Sequence, residues 1–417
     1  MKNELLRDLE WRGLINDCTD TDGLDKLLSE EKIALYAGVD PTGDSMHIGH
    51  LLPFLVLRRF QNAGHQPIVL VGGATGSIGD PSGKTSERQM QSMETVSHNV
   101  RCLSGQLASI FGDDAKFVNN YDWTADLSIL DFLRDFGKSF NVNHMIAKDT
   151  VKSRLETGIS FTEFSYQILQ AMDFNHLYAN HDCKLQIGGS DQWGNIVAGL
   201  DFIRKKQGEE KRAAFGLTLP LVTKSDGTKF GKSESGAVWL DKEKTSPYEM
   251  YQFFFNTADA DAVRFLKMFT FLTQDEILEI EAKFEAAPHE RLAQKSLARE
   301  VVTFIHGAEA FNQAVKITEA LFSGNIAGLS QEEIAVGFKD VPSISVTEDL
   351  GLIDVLIETG AASSKREARE FITNNSISIN GEKQSDLEFV VSKASAIGEK
   401  FTVIRRGKKK YFLIKHD

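Results

Sequence analysis

The chain has 417 residues, 41% hydrophobic and 25% charged. That is an ordinary globular composition, which excludes a collagen-like, mucin-like or wholly disordered protein and, at roughly 150 residues per domain, implies two or three domains. Forty-seven Lys and Arg against 59 Asp and Glu leave a net charge of −12, which on average argues against a polyanionic partner. The average conceals a gradient, because residues 341–417 carry 12 basic and 11 acidic side chains and Lys393 to Lys415 holds eight basic residues against one acid, Glu399. This cluster is a candidate nucleic-acid footprint, although a basic hairpin edge that resists aggregation has the same composition.

No window approaches the roughly 18 apolar residues of a membrane span, and Glu4, Asp8 and Glu10 stand where a signal peptide is apolar. A cytoplasmic location without a membrane partner is expected. Cys18, Cys102 and Cys183 are odd in number and form no CxxC pair, so neither a disulfide framework nor a metal site is expected.

In chain order, the apolar run Ile33–Val39, the amphipathic stretch Ile48–Phe60 and the apolar run Pro67–Gly72 read as strand, helix, strand. Continuous apolar strands alternating with helices predict a parallel sheet covered on both faces, hence a doubly wound α/β domain with its ligand site at the carboxyl ends of the strands. Pro53 predicts that the regular helix after His47 starts near His50 or is kinked. Residues 1–222 are assigned to this domain, 223–244 to a Gly/Lys-rich loop, 245–323 to a helical unit, 324–349 to a linker and 350–417 to a small α+β module. In that module Asn380-Gly381 and Gly407 mark hairpin turns.

Three glycine-rich segments invite a phosphate reading. A P-loop requires a glycine five residues before Gly83-Lys84-Thr85 or Gly231-Lys232-Ser233, where Ile78 and Asp226 stand instead. GxGxxG is absent too, since the glycines run Gly73, Gly76, Gly79. A P-loop NTPase and a dinucleotide dehydrogenase are therefore disfavoured. There remains Asp40-Pro41-Thr42, then His47-Ile48-Gly49-His50, directly after a predicted strand. Two histidines near a helix N-terminus can stabilise the charge that grows on an attacked phosphate, and Gly49 between them lets a flat adenine approach the backbone. The same pair also fits an ordinary surface helix start.

His47-Ile48-Gly49-His50 is the HIGH signature, and Lys229-Phe230-Gly231-Lys232-Ser233 is similar to the KMSKS loop of class I aminoacyl-tRNA synthetases. With Tyr36, Asp80 to Lys84, Phe161 to Tyr166, Gln186 to Asn195 and the basic C-terminal module, the whole chain resembles the bacterial-type tyrosyl members of that class. The resemblance implies a Rossmann-like catalytic domain, a helical anticodon-binding domain over 245–323 and an S4-like RNA-binding domain over 350–417. It further implies a homodimer, with L-tyrosine, ATP accompanied by Mg2+, and tRNA-Tyr as partners, and no DNA.

The residues can be tested against that chemistry. Ser160 and Glu163 predict a capping box opening a helix. At 100° per residue Gln170 falls about 40° and Asp173 about −20° from Tyr166, forming a narrow polar stripe on a helix otherwise apolar. A solvated face gives the same pattern, but a largely buried helix with so narrow a stripe fits the lining of a polar cavity. There Asp173 can accept a hydrogen bond from a phenol, while Tyr166 and Gln170 with Asp80 can reach an ammonium group. Ser190 is expected to cap the next helix with Asp191 in its first turn.

By resemblance, Tyr36 and Asp173 grip the phenol, Gln192 lies near the substrate carboxylate, and Gly189 and Asp191 meet the ATP ribose. Asp40, Thr42, His47, Gly49, His50 and Ser233 complete the ATP site. Lys84, Arg88, Lys229 and Lys232 supply positive charge for the triphosphate, the last two on a mobile loop. Lys365, Arg366, Arg369, Arg405, Arg406, Lys408, Lys409 and Lys410 are the expected RNA contacts. Two alternatives stay open at this point: a tryptophanyl enzyme on the same core, and a non-catalytic RNA-binding scaffold of synthetase descent.

Overall fold

The computed structural model describes residues 1–417 except 83–88, 153, 156–157, 209–213, 234–235 and 408–409, and without the side chains of 149, 150 and 233. The expected triphosphate residues Lys84 and Arg88 and the RNA residues Lys408 and Lys409 lie outside the described residues, as does the side chain of Ser233. The chain divides into two units, Met1–Thr245 with Phe254–Val301, and Ser246–Phe253 with Val302–Asp417.

The first unit is built on a six-stranded sheet. Its strands are β1 (Asp17–Cys18), β2 (Ala34–Val39), β3 (Gln66–Val71), β4 (Lys116–Asn119), β5 (Cys183–Gly189) and β6 (Phe215–Leu219), in the order β1-β6-β5-β2-β3-β4. All neighbours run parallel except the edge strand β1. Two short strands, β7 (Lys232–Ser233) and β8 (Gly236–Ala237), pair separately. The apolar runs are buried as expected: β3 is covered from Pro67 onward and β6 throughout. From β2 the chain winds outward through β3 and β4; from β5 it winds the other way through β6. The two directions part between β2 and β5, and loops leaving those neighbours diverge to open a crevice at their carboxyl ends. HIGH follows β2, and Gly188 to Gln192 ends β5 and begins the next turn.

Pro53 causes no kink. The regular helix is Leu51–Asn62, so proline occupies its first turn, where no backbone N–H is needed. The polar-striped helix runs Phe161–His181; Ser160 accepts the Glu163 N–H at its start. Only half of the predicted capping box forms, because the buried Glu163 carboxylate pairs with the buried Arg154 at 2.9 Å. Ser190 is not a helix N-cap either: Ser190–Gln192 is a 3₁₀ turn, and the helix begins at Trp193.

The second unit departs from the expected boundaries. The helical segment 245–323 is shared between the two units rather than standing alone. Residues 324–349 are not a linker: they contain the helix Gln331–Gly337 and β9 (Ser343–Val346). Ile326, Leu329, Ile334 and Phe338 are buried with Val403 and Leu413, which draws this segment into the C-terminal core. Further strands are β10 (Leu350–Gly351), β11 (Ile377–Ile379), β12 (Glu382–Lys383), β13 (Val390–Val391), β14 (Phe401–Arg406) and β15 (Lys410–His416); with β9, four of these form a sheet in the order β12-β11-β14-β15-β9, and β10 pairs with β13 separately. Both hairpin turns form as read, Asn380-Gly381 with positive φ at both residues and Gly407 at +63°. Among the described residues no helix is long and apolar enough to cross a membrane.

Candidate functional site

The polar stripe faces the crevice edge of the sheet. Tyr166 and Asp173 are buried and Gln170 is half-buried. The Tyr166 hydroxyl donates to Asp40 Oδ2 at 2.8 Å, and Thr75 Oγ1 donates to Asp40 Oδ1 at 2.7 Å. Gln170 Nε2 donates to Gln192 Oε1 at 3.2 Å, and Gln192 Nε2 donates to Asp80 Oδ2 at 2.7 Å. These bonds join the loop after β2, the loop after β3, the striped helix and the turn after β5. Asp40 and Tyr166 thus share one network, and Asp80, Gln170 and Gln192 another.

At the floor lies Asp173, 3% exposed. Asn120 Nδ2 and Trp123 Nε1 donate to its two carboxylate oxygens, each at 2.9 Å. Burial pushes its pKa up to about 7 against the opposing pull of those donors. Tyr36 is 2% exposed, tilts against Phe174 at 5.4 Å, and its hydroxyl has no hydrogen-bond partner among the described residues. Burial, with Asp173 nearby, holds its proton on at any ordinary pH. Gln186 stands beside Tyr36 in register on β5 and is likewise buried, its Oε1 unpaired among the described residues. A buried hydroxyl and a buried amide oxygen without partners, next to a carboxylate, are groups held ready for a polar ligand.

At the mouth, Ile48–His50 is a 3₁₀ turn, in which residues three apart eclipse. The His47 and His50 rings accordingly stack at 3.7 Å. His47 Nδ1 accepts the Gly49 N–H at 3.1 Å, and a Cβ on Gly49 would lie 2.8 Å from the His47 ring. Gly49 is exposed, as the close approach of a flat ring requires. Thr42 turns back on Asp40 through a 2.8 Å backbone bond. Gly189 lies against Asp191, whose Oδ1 would be 2.5 Å from a Cβ there.

The KFGKS segment reaches the same mouth. Ile48 N–H donates to Val238 O at 2.9 Å, and Gly231, at φ +95°, brings its Cα to where a Cβ would be 3.1 Å from Gly49 N. Lys229 and Lys232 are exposed. No group of three or more His, Cys, Asp or Glu side chains among the described residues is arranged to hold a metal ion.

Thr75, Asn120 and Trp123 carry no signal of their own in the sequence. Thr75 holds Asp40, and Asn120 and Trp123 hold Asp173, through contacts distant in the chain that no periodicity announces.

A family profile described as tRNA synthetases class I (W and Y) matches residues 28–323, and one described as the tyrosine–tRNA ligase SYY-like C-terminal domain matches 333–414. A tyrosine–tRNA ligase of Listeria welshimeri is 62% identical over 99% of either chain, and one of Staphylococcus carnosus 57% over 100% of either. The chain belongs to the tyrosine–tRNA ligase family. Among solved structures, a C-terminally truncated mitochondrial tyrosyl-tRNA synthetase of Aspergillus nidulans matches with a TM-score of 0.70 at 35% identity, covering 77% of this chain and 95% of that one. A tryptophanyl-tRNA synthetase of Encephalitozoon cuniculi, at 14% identity and TM-score 0.54 over 74% and 87% of the two chains, shares the fold alone. Full-length identity to tyrosine–tRNA ligases favours that function over both the tryptophanyl and the scaffold alternatives.

In the C-terminal unit of this ligase, Lys365, Arg366 and Arg369 are exposed on the helix Lys365–Thr373, which Ser364 caps. Lys365 is paired with Asp354 at 2.8 Å. Arg405 and Arg406 are half-buried on β14, where Arg406 donates to Ala361 O and lies over Phe371 and Phe412; Lys410 is exposed opposite it on β15.

Proposed function

We propose that this chain activates L-tyrosine with ATP to tyrosyl-adenylate and pyrophosphate and passes the tyrosyl group to the terminal adenosine of tRNA-Tyr. The observation that carries the assignment to tyrosine is the pairing of Asp173 with the partnerless Tyr36 hydroxyl at the buried end of a crevice whose other end holds the stacked histidines. The substrate phenol donates to Asp173 and accepts from Tyr36. Asp80, Tyr166 and Gln170 surround its ammonium group, and Gln192 lies by its carboxylate. Phenylalanine leaves those buried groups unpaired, the discrimination for which tyrosyl enzymes are a familiar example.

No protein nucleophile takes part. The tyrosine carboxylate attacks the α-phosphate in line, and His47 and His50 donate to oxygens whose charge rises in the transition state. Gly49 admits the adenine, with Asp40 and Thr42 beside it, and Gly189 and Asp191 hold the ribose. Lys84, Arg88, Lys229, Lys232 and Ser233 bind the triphosphate, which enters as its Mg2+ complex, and the KFGKS loop closes over the leaving pyrophosphate.

The functional unit in this reading is a homodimer. It is supported by large apolar side chains left open on the first unit, with Ile129, Leu130 and Phe161 each more than 70% exposed. Lys365, Arg366, Arg369, Arg405, Arg406 and the Lys408 to Lys410 run contact tRNA phosphates. ATP–pyrophosphate exchange with tyrosine, phenylalanine and tryptophan tests the assignment: tyrosine alone should sustain rapid exchange, and equal exchange with phenylalanine would refute it.

A further inference from the structure

The two limbs of the hairpin that carries the KFGKS lysines are both fastened to one face of a single helix, Asp259–Phe269. Thr223 and Lys229 face each other across the hairpin, whose turn is closed by Lys224 N to Thr228 O at 2.8 Å and by Asp226 accepting from Thr228. On the first limb, the backbone N–H and the hydroxyl of Ser225 both donate to Asp261 Oδ2, at 2.8 and 2.9 Å. Arg264, one turn on, donates to Thr223 O and pairs with Asp261 Oδ1 at 2.6 Å. On the second limb, Phe230 stacks on Phe269 at 4.7 Å and meets Phe265 edge-on at 4.8 Å. Positions 261, 265 and 269 follow the four-residue spacing of one helix face, so a carboxylate and two rings form a continuous seat. Asp261 is 2% exposed, although nothing in the reaction touches it.

We propose that Asp261, with Arg264, is a positioning residue for the triphosphate lysines. By holding Thr223 and Ser225 it fixes the hairpin from which Lys229 and Lys232 project, and Phe230 acts as the pivot between seat and loop. The side chain acts at a distance from ATP: it sets the placement of the lysines and contacts no substrate. The proposal rests on the assignment of Lys229 and Lys232 to the triphosphate.

The test measures ATP–pyrophosphate exchange and equilibrium tyrosine binding for Arg264→Ala, Asp261→Asn and Asp261→Ala, with thermal melts to establish folding. Arg264 is partly exposed, so its replacement leaves a folded protein even if Asp261→Ala does not. Arg264→Ala should lower kcat/KM for ATP about tenfold, the equivalent of one charge-assisted hydrogen bond. Tyrosine affinity should stay within about twofold of the parent. Asn at 261 still accepts from Ser225, so Asp261→Asn should retain part of the activity that Asp261→Ala loses. Unchanged ATP parameters in a folded Arg264→Ala protein, or a parallel loss of tyrosine affinity, would overturn the proposal. Lys232→Ala serves as the reference: if it leaves exchange intact, the lysine assignment fails and the positioning role with it, whereas if it impairs exchange and Arg264→Ala leaves the ATP parameters unchanged, the positioning role alone fails.

Discussion

Replacing Tyr36 by phenylalanine removes one oxygen from the floor of the crevice and should move stability and affinity in opposite directions. In the free protein the hydroxyl is buried and has no partner among the described residues. An unmatched buried hydroxyl of this kind disfavours the folded state by about 1–3 kcal/mol, so its removal should hold or raise the melting temperature. The ring keeps its place against Phe174, which makes the change volume-conserving. In the proposed tyrosine complex the same hydroxyl gains the substrate phenol. Its loss forfeits one neutral hydrogen bond, about 0.5–1.5 kcal/mol, or roughly two- to twelvefold in kcat/KM for tyrosine. Phenylalanine makes no such bond, and its kcat/KM should hold or rise, so the tyrosine/phenylalanine ratio falls by at least the same factor. ATP–pyrophosphate exchange with both amino acids, beside a thermal melt, reads all three quantities. An unchanged ratio, or a melting temperature several degrees lower, would show that the Tyr36 hydroxyl supports the fold rather than the substrate.

The remaining expectations draw on other parts of the crevice. Asp173 holds its proton to about pH 7 in the folded protein, well above the 3.8 of a free aspartate. The folded state therefore binds more protons than the unfolded state between these limits, and this part of the stability is lost as pH rises from about 4 to about 7. Tyrosine binding, which favours the ionised carboxylate, should strengthen over the same range; thermal melts and tyrosine titrations at pH 5 to 8 (about the span of a histidine-range buffer set) check both signs, and flat profiles would refute the role of Asp173. His50→Ala should lower the adenylation rate with little change in tyrosine affinity, measured by single-turnover kinetics, because its donor matters only as phosphate charge develops. Removing residues 324–417 should spare adenylation and abolish tRNA charging, and undiminished charging would refute the RNA assignment. Ending the chain at 345 would strand Ile334 and Phe338, whereas a cut before Ile326 leaves only Ile317 and Ala320 of that buried cluster behind.

What could be read from the chain and what could not divide along a physical line. The strands of the catalytic sheet announce themselves because burial on both faces demands unbroken apolar runs, and the striped helix does so because three polar residues on an otherwise apolar circumference must face something polar. Proline in the helix after HIGH was legible as a boundary, because only a first-turn position spares the missing N–H. Residues 324–349 misled as a linker because their apolar positions, Ile326, Leu329, Ile334 and Phe338, are separated by polar side chains and acquire meaning only against Val403 and Leu413, far along the chain. The cap at Glu163 failed for the same reason: a local rule placed its carboxylate on the backbone, and a tertiary partner, Arg154, claimed it.

The same division separates the groups that do chemistry from those that aim them. The histidines and lysines proposed to meet phosphate sit on turns next to glycine, so their spacing reads as a signature. Asn120 and Trp123, which hold Asp173, and Asp261, which holds Ser225, need only the right donor or acceptor at the right point in space. A large perturbation is therefore expected wherever one of these partners leaves a buried carboxylate with fewer donors. For Asp173, loss of the Trp123 N–H raises the cost of ionisation further and shifts the pH at which tyrosine binding strengthens upward. Trp123→Phe, followed by tyrosine titration against pH, would show that upward movement, and a transition left where the parent has it would mean that Trp123 merely fills space.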